Sequence, residues 1–353
     1  MSNPSSRVFS VVGGQYGSEG KGAVAAAIVE RELDRGGDVI SVRVGGPNAG
    51  HTAYDAQGRK WALRTVPIGA VVDPTCELLI AAGSEIDPEV LHSEVDALEE
   101  AGIPVRDRLI IDEQATVITP DHIRQEQESD ITARLGSTAK GIGAARAERM
   151  WRTAPLAKDG LDDGGYIITN STDMFLREFA ASGQRSIVVE GTQGYGLGLH
   201  QGLYPYCTSG NVTATDTLAL AGIAPFDPRY GQVTPVVVLR YNPIRVAGNS
   251  GPMQGETSWE DLGLEPEKTT VTQKIRRVGE WDWDLAYRAV EANGGRAVSL
   301  ALTMMDHAFP EIAGAFTPDR LTDDALAWIA RVEDALQASI YYVGTGPDSG
   351  IFD

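Results

Sequence analysis

The stretch GGQYGSEGKG at residues 13–22 has the composition of a phosphate-binding loop. It lies between an apolar, β-branched run and a breaker-free segment with helical spacing, so glycines would turn the chain from a strand into a helix. Free N–H groups at the helix start and the Lys21 ammonium would attract an anion. The loop departs from the Walker A pattern, because Gln15 stands at the first glycine position and Gly22 at the Ser/Thr position. A structural turn without a ligand is the alternative interpretation.

The segment GGPNAGHT at residues 45–52 also follows an apolar run and places polar side chains among glycines. Asn48, His51 and Thr52 are expected on a loop whose small neighbours let a ligand's reacting atom approach closely. A histidine with an ordinary pKa near neutrality can act as a general acid. The alternative is a surface histidine that takes no part in chemistry.

Other segments combine glycines with hydroxyl, amide and basic side chains. In LGSTAKGIGAARAERMWR (135–152), Ser137 and Thr138 are candidate donors to phosphate oxygens, although a solvated basic helix would have the same composition. EGTQGYGLGLHQGLYPYCTSGN (190–211) begins at the end of an apolar run, and its many glycines predict close approach of the backbone to a ligand. The remaining motifs are a compact basic loop, TTVTQKIRRVG (269–279), and a glycine loop, VGTGPDSG (343–350).

The elements that must position these motifs follow an α/β pattern. Apolar, β-branched runs predict strands at 7–13, 38–45, 77–82, 108–112, 186–191, 232–240, 297–303 and 339–344. Helical spacing predicts helices at 21–35, 87–102, 280–294 and 322–337. We therefore expect a large, mostly parallel central sheet with helices on both faces and ligands at the carboxyl ends of the strands. The stretch 128–165 is expected to be a long loop, and no linker divides residues 1–353, which predicts a single domain.

Composition restricts the class of partner. Hydrophobic residues make up 42% and charged residues 22%, which is typical of a soluble globular protein, and we expect no membrane association. The net charge of −19 argues against binding a nucleic-acid backbone but allows a small anionic substrate held by a local basic cluster. The only cysteines, Cys76 and Cys207, cannot form a disulfide framework, so a reducing cytoplasm is expected.

In this order, the motifs resemble those of the adenylosuccinate synthetase family, which joins L-aspartate to C6 of a purine nucleotide using a nucleoside triphosphate. The resemblance extends from about residue 8 to residue 350, through GGQYGSEGKG, GGPNAGHT, LGSTAKGIG, EGTQGYG, YPYCTSGN and GTGPD. It implies an adenylosuccinate synthetase-like fold, related to the P-loop NTPases, and dependence on Mg²⁺. The chain is shorter than usual for the family, and segments are expected to be missing after Trp151 and around 310–325.

The resemblance also implies a role for individual residues. It gives catalytic roles to Ser18, Lys21 and His51 and metal binding to Ser18 and the Gly50 carbonyl. Donor-nucleotide binding falls to Ser18, Glu19, Gly20, Lys21, Gly22, Gly50, His51, Thr52, Arg276, Asp306, Gly344, Gly346 and Pro347. The residues that would bind the nucleoside monophosphate are Ser18, Asn48, Ser137, Thr138, Arg152, Gln193, Thr208 and Val246. The aspartate loop would use Thr270, Thr272 and Lys274, with its register uncertain by a residue or two. Arg152 matches an arginine that enters the neighbouring subunit's site, which implies a homodimer.

Ser18 departs from the family at its most important position. The family carries there an aspartate that removes the N1 proton of inosine monophosphate, so that O6 attacks the γ-phosphate and the aspartate amine later displaces that phosphate. A serine cannot act as a carboxylate base near neutrality. The chain could be a non-catalytic nucleotide binder, an ordinary adenylosuccinate synthetase (IMP, GTP) with another base, or an enzyme with a different substrate.

A changed substrate is the most economical of these explanations. Guanine carries a 2-amino group next to N1, and a serine leaves it more room than an aspartate and can donate or accept a hydrogen bond. The phage branch of the family, the 2-aminoadenylosuccinate synthetases, has a serine there and acts on dGMP on the route to 2-aminoadenine in phage DNA. A phage origin would place the chain in the host cytoplasm.

Two further departures agree with that branch. Met304 replaces the lysine of the family's guanine-reading motif, which favours ATP, or dATP, over GTP, although Asp306 is retained and leaves GTP open. Lys274 replaces an arginine that contacts both aspartate and the ribose 2′ side, and the two cations are not equivalent at forked contacts. That change is compatible with a deoxyribose.

Overall fold

The structure is a computed structural model that describes residues 6–162, 164–269 and 274–353. Its strands are β1 Arg7–Gly13, β2 Asp38–Arg43, β3 His51–Tyr54, β4 Lys60–Leu63, β5 Glu77–Ile80, β6 Glu85–Ile86, β7 Leu109–Asp112, β8 Thr116–Val117, β9 Ile167–Thr169, β10 Arg185–Gly194, β11 Gln232–Arg240, β12 Ile244–Arg245, β13 Glu256–Thr257, β14 Arg277–Gly279, β15 Ser299–Thr303, β16 Ser339–Gly344 and β17 Gly350–Phe352. Its helices are α1 Lys21–Asp34, α2 Gly69–Val72, α3 Pro88–Glu100, α4 Pro120–Glu128, α5 Ile131–Leu135, α6 Ile142–Trp151, α7 Ala157–Gly160, α8 Thr172–Ala181, α9 Ala214–Leu220, α10 Trp283–Asn293 and α11 Asp323–Leu336.

A ten-stranded sheet in the order β17-β16-β15-β11-β1-β10-β2-β5-β7-β9 forms the centre of the fold. Neighbouring strands are parallel except β16 and β17 at one edge. Every predicted strand lies in this sheet, so the expected α/β architecture is confirmed. The two edge strands β9 and β17, each of three residues, were not predicted.

Both faces of the sheet are covered, as expected for parallel strands. Phe9 and Val11 of β1 pack with Val24 and Ile28 of α1 on one face. Val8 points to the other face, where it packs with residues of α8 and α9. The predicted helices 21–35, 87–102, 280–294 and 322–337 are present as α1, α3, α10 and α11. None of the described helices is long and apolar enough to cross a membrane.

Residues 128–165 are not the long loop that the sequence predicts. They contain α5, α6 and α7, and α6 packs Ile142 and Ala145 against Ile118. The Glu126 carboxylate accepts hydrogen bonds from Gly141 N at 2.7 Å and Gly143 N at 2.6 Å. The glycines of this segment suggest a loop. The prediction was wrong because a carboxylate from α4 accepts hydrogen bonds from the N–H groups at the start of α6 and so supports that helix.

Candidate active site

A cavity of about 1240 Å³ opens at the carboxyl ends of the central strands, where the sequence predicts the ligand site. It brings together almost all of the predicted site residues that the structure describes. They are Ser18, Gly20, Lys21, Gly22, Asn48, Gly50, His51, Thr52, Ser137, Thr138, Gln193, Thr208, Val246, Lys274, Arg276, Asp306, Gly344, Gly346 and Pro347. Glu19 and Arg152 do not line the cavity, and Thr270 and Thr272 lie outside the described residues.

The first loop presents Ser18 to this cavity. Its backbone is left-handed, with φ of 59°, its side chain is exposed, and its carbonyl accepts a hydrogen bond from Arg240 at 3.2 Å. Gly20, with φ of 85°, starts α1, and no side chain caps that helix. The first turn therefore offers its N–H groups to an anion in the cavity.

Glu19 points beneath the loop instead of into the cavity. Its side chain is fully buried and accepts hydrogen bonds from Gln15 N at 3.1 Å and Gly17 N at 2.8 Å. The same carboxylate pairs with the Lys21 ammonium at 2.6 Å. Glu19 therefore shapes the loop and holds Lys21 in place, and it occupies the N–H groups of Gln15 and Gly17.

The close packing of α1 explains why a glycine follows Lys21. A Cβ atom on Gly22 would lie 2.7 Å from Thr52 N and 2.8 Å from His51 Cβ. The serine or threonine of a Walker A loop would collide with β3 here. Gly22 thus lets the helix start touch the strand that carries His51.

His51 is the first residue of β3, not a loop residue as predicted, and it is buried against two charged side chains. Its Nδ1 lies 2.6 Å from Glu190 Oε2 and 2.5 Å from Arg43 Nη1. Arg43 also donates to the carbonyl oxygens of Ala49 at 2.6 Å and Arg64 at 3.2 Å. The strand pairing explains the cluster, since Arg43 at the end of β2 lies directly beside Glu190 on β10.

This environment keeps the imidazole neutral. Burial and the positive charge of Arg43 lower the pKa of His51 to about 4, outweighing Glu190. Burial raises the pKa of the Glu190 carboxyl, but hydrogen bonding to His51 and the charge of Arg43 outweigh it and hold that pKa below its usual range. The Nε2 atom of His51 is buried, and no residue in the part of the chain that the structure describes forms a hydrogen bond with it.

The facing wall of the cavity comes from three segments that are distant in sequence. Gln193, with φ of 65°, lies beside the first loop, because a Cβ atom on Gly13 would be 2.6 Å from its carbonyl oxygen. A Cβ atom on Gly136 would lie 3.4 Å from Val246, so the loop before Thr138 packs on the loop after β12. Polar and apolar groups thus face the first loop across an open space.

The basic segment 274–276 lies on another side of the cavity. Arg276 is partly buried, and its backbone N–H donates to Glu267 O at 2.8 Å. Its side-chain Nε has no hydrogen-bond partner among the described residues. The Glu267 carboxylate accepts from Arg240 Nη2 at 2.6 Å. Because Arg240 also binds the Ser18 carbonyl, one buried guanidinium connects this segment to the first loop.

The end of β15 reaches the first loop as well. Thr303 Oγ1 donates to Glu19 O at 2.6 Å, and a Cβ atom on Gly20 would lie 3.6 Å from Met304 Cε. Met304 and Asp306 both line the cavity. Met304, at the lysine position of the family's base-reading motif, therefore lies next to the predicted phosphate loop.

The chain's own donors for a metal at this place are neutral. Among the described residues, no group of three or more His, Cys, Asp or Glu side chains could hold a metal ion. The Ser18 hydroxyl and the Gly50 carbonyl are oxygen donors on the cavity wall. Such a pair fits Mg²⁺, which commonly takes most of its oxygens from water and substrate phosphates.

Several charged residues around the cavity were not singled out from the sequence. Arg43 and Glu190 stand within or at the end of otherwise apolar strands, as does Arg240. A charged residue at such a position indicates a buried ion pair, since a charge that is fully buried in a central strand needs a partner. Glu267 carries no comparable signal, and only its contact with Arg240 reveals it.

With this geometry in place, comparison with known proteins identifies the class. The family model for adenylosuccinate synthetase matches residues 10–166 and 165–313. The adenylosuccinate synthetase of Pyrococcus sp. (strain ST700) is 36% identical over 346 residues, covering 96% of this chain and 95% of that protein. The enzyme of Methanococcus aeolicus is 35% identical, with 96% of both chains covered. The chain belongs to the adenylosuccinate synthetase family, ligases that form a C–N bond.

Solved structures agree with this assignment. Cyanophage S-2L succinoaminodeoxyadenylate synthetase (PurZ), bound to dGMP and to dATP as an energy donor, is 29% identical, with a TM-score of 0.78 over 98% of this chain and 93% of that one. Fully ligated adenylosuccinate synthetase from Plasmodium falciparum has a TM-score of 0.79 over 99% of both chains at 19% identity, which supports the fold alone.

Proposed function

We propose that this chain joins L-aspartate to C6 of dGMP, with ATP or dATP as the phosphoryl donor, to form 2-amino-2′-deoxy-N6-succinyladenylate, ADP (or dADP) and phosphate. The observation that carries the proposal is Ser18, exposed on the cavity wall at the position where the family has its catalytic aspartate. The likeness to a phage synthetase solved with dGMP and dATP supports it. The product would serve synthesis of 2-aminoadenine for phage DNA.

In the proposed reaction, the N1 proton passes to a water or a phosphate oxygen, which makes O6 of the purine nucleophilic. O6 then attacks the γ-phosphate, and ADP (or dADP) leaves. The aspartate amine then displaces phosphate from the 6-phosphoryl purine. Lys21 and the free N–H groups at the start of α1 would stabilise the transferring phosphoryl group, and His51 would exchange a proton with its oxygens. Ser18 would orient the base, and bound Mg²⁺, held by Ser18 and Gly50, would neutralise phosphate charge.

The remaining residues would divide between the substrates. Asn48, Ser137, Thr138, Gln193, Thr208 and Val246 would hold dGMP, together with Arg152 of the partner subunit. Thr52, Arg276, Asp306, Gly344, Gly346 and Pro347 would hold the donor, beside the first loop. Lys274, with Thr270 and Thr272, would hold aspartate. The proposal treats residues 1–353 as one domain, since strands from residue 7 to residue 352 share one sheet.

Ordinary adenylosuccinate synthesis from IMP and GTP is the second candidate. The archaeal relatives carry that name and are more similar in sequence than the phage enzyme is. Chain length does not separate the two, because the Pyrococcus enzyme is covered over 95% of its own length. Retained Asp306 also favours this candidate, whereas Ser18 and Met304 oppose it.

An assay that crosses dGMP, GMP and IMP with ATP, dATP and GTP tests the proposal. We expect aspartate-dependent release of phosphate with dGMP and an adenine donor, and little with IMP and GTP. Turnover of IMP with GTP at a higher kcat/KM would establish the ordinary synthetase. Tight nucleotide binding without phosphate release from any pair would establish a non-catalytic binder.

A further inference from the structure

Glu190 does not line the cavity, yet it contacts the one histidine that the proposed function places in the chemistry. It is fully buried in β10 between β1 and β2. Its Oε1 accepts hydrogen bonds from Ile68 N at 2.7 Å and Ser41 Oγ at 3.1 Å. Its Oε2 faces His51 Nδ1 at 2.6 Å and Arg43 Nη1 at 3.3 Å. All four contacts leave Glu190 no freedom to turn away from His51.

The contacts at His51 Nδ1 require a choice between two tautomers. Arg43 can only donate, and the ionised Glu190 can only accept, so the single Nδ1 atom cannot satisfy both neighbours. A hydrogen on Nδ1 gives Glu190 its shortest donor. Arg43 Nη1 would then face this hydrogen at 2.5 Å, but Arg43 keeps Glu190 Oε2 and the Ala49 carbonyl as acceptors. A lone pair on Nδ1 would instead face the buried carboxylate at 2.6 Å, which is repulsive.

We propose that Glu190 is a positioning residue that holds a ring hydrogen of His51 on Nδ1 and thereby makes Nε2 the ring nitrogen available to the cavity. His51 lines the cavity, and its Nε2 atom is buried without a hydrogen-bond partner among the described residues, so this atom is free to meet a ligand. Charged groups face the ring from three elements: Arg43 on β2, Glu190 on β10 and Lys21 on α1. Nε2 would then be the ring atom that exchanges a proton with a phosphate oxygen.

The role in turnover rests on the proposed function, whereas the position of the hydrogen does not. Long-range ¹H–¹⁵N correlation spectra distinguish a ring nitrogen that carries hydrogen from one with a lone pair. The chain has five histidines, and the signals lost in His51→Asn identify His51. We expect hydrogen on Nδ1 in the ligand-free protein. Hydrogen on Nε2 and none on Nδ1 would overturn the proposal without any variant of Glu190.

Glu190→Gln tests whether the Glu190 carboxylate sets the position of the ring hydrogen on His51. The backbone N–H of Ile68 requires an oxygen at its side, so the amide NH₂ must face His51 and donate to Nδ1. The hydrogen should move to Nε2. Retention on Nδ1 in this variant would show that Glu190 does not select the tautomer.

The kinetic measurement asks whether the tautomer serves the reaction. We expect kcat of Glu190→Gln to fall by about 100-fold, the lower end of what a positioned proton-transfer group contributes. KM for each substrate should stay within about threefold, since the ring fills the same space. An unchanged kcat beside a moved hydrogen would refute the catalytic role.

A matched control is a carboxylate of α1 that contacts the other end of β10. Glu32 is also a buried carboxylate, and it accepts from Ser186 Oγ of β10 at 2.7 Å. Glu32→Gln should lower thermal stability but leave the His51 signals and kcat unchanged. An equal loss of kcat in this control would attribute the effect to general weakening of the fold. If no nucleotide pair supports turnover, the proposed function fails and the spectra still decide the tautomer.

Discussion

Individual side chains around the cavity differ in how far they tolerate replacement. Ser18 is exposed, and its contact with Arg240 is made by its backbone carbonyl. Its side chain can therefore be replaced without loss of that contact. His51 is buried between Arg43 and Glu190, so its replacement affects both packing and chemistry. The proposed function therefore assigns substrate preference and catalytic chemistry to residues of different exposure.

His51→Asn tests the chemistry. Asparagine cannot exchange a proton near neutrality, so kcat should fall by about 100-fold or more. The affinity for dGMP, measured by calorimetry, should change by less than about threefold. Circular dichroism and the melting temperature serve as controls for folding. Turnover near that of the wild type would remove His51 from the mechanism.

The sequence identified the residues that stand in glycine motifs, because close backbone approach has a compositional signature. Ser18, Lys21 and His51 were found in this way. Arg43 and Glu190 were not, since each is a single charge in or beside an apolar run, and the sequence alone does not show that it is buried. Their partnership depends on the register between β2 and β10, which local sequence does not encode.

At the scale of elements, the hairpin β3–β4 carries His51 and is closed by the Asp55 carboxylate. Asp55 accepts from Arg59 N at 2.9 Å, Gln57 N at 3.0 Å and Trp61 Nε1 at 2.8 Å. Burial opposes ionisation, but the hydrogen bonds from Trp61 and Arg59 lower the pKa of Asp55 to about 2. The ionised carboxylate therefore stabilises the turn.

Asp55→Asn should lower the free energy of unfolding by about 1 kcal/mol near pH 6, after allowance for solvent at the turn. Because the folded pKa is depressed, this contribution is present above the unfolded pKa of about 4 and is lost as the pH falls towards 2. Urea unfolding of both proteins between pH 6 and pH 3 measures it. If the difference in unfolding free energy between the two proteins stays constant over this range, the ionised Asp55 carboxylate is not its cause.

Elements with a strong local pattern were predictable, and those that depend on distant partners were not. The apolar runs of β1, β10 and β11 are long enough to identify buried strands. The short edge strands β9 and β17 exist because a neighbouring strand is already in place. Helix α6 corresponds to the alternative of a basic helix, and the loop prediction was wrong because the carboxylate at the helix N-terminus comes from Glu126, outside its own segment.

At the scale of the whole molecule, the position of Arg152 agrees with the proposed dimer. It is exposed at the end of α6 and does not line its own chain's cavity. The two residues before it are large, apolar and exposed, with Met150 at 73% and Trp151 at 79%. A second copy of the chain would cover them and receive Arg152.

Mixing two inactive variants tests this arrangement. Arg152→Leu and Lys21→Ala should each lack activity, but a mixed dimer would contain one site with both residues intact. Random pairing should then restore about a quarter of wild-type activity. No recovery, after subunit exchange has been confirmed by mass spectrometry, would show that each site is built from a single chain.

The proposed preference for dGMP depends most on Ser18 as the residue that selects a 2-aminopurine. Ser18→Asp would crowd the 2-amino group of dGMP and restore a carboxylate that can accept the N1 proton of dIMP. The decisive measurement is the ratio of kcat/KM for dGMP to that for dIMP in the two proteins. We expect this ratio to fall by about 100-fold or more in Ser18→Asp, as for a site left with a clashing or unpaired polar group. An unchanged ratio would contradict the account and favour an ordinary adenylosuccinate synthetase.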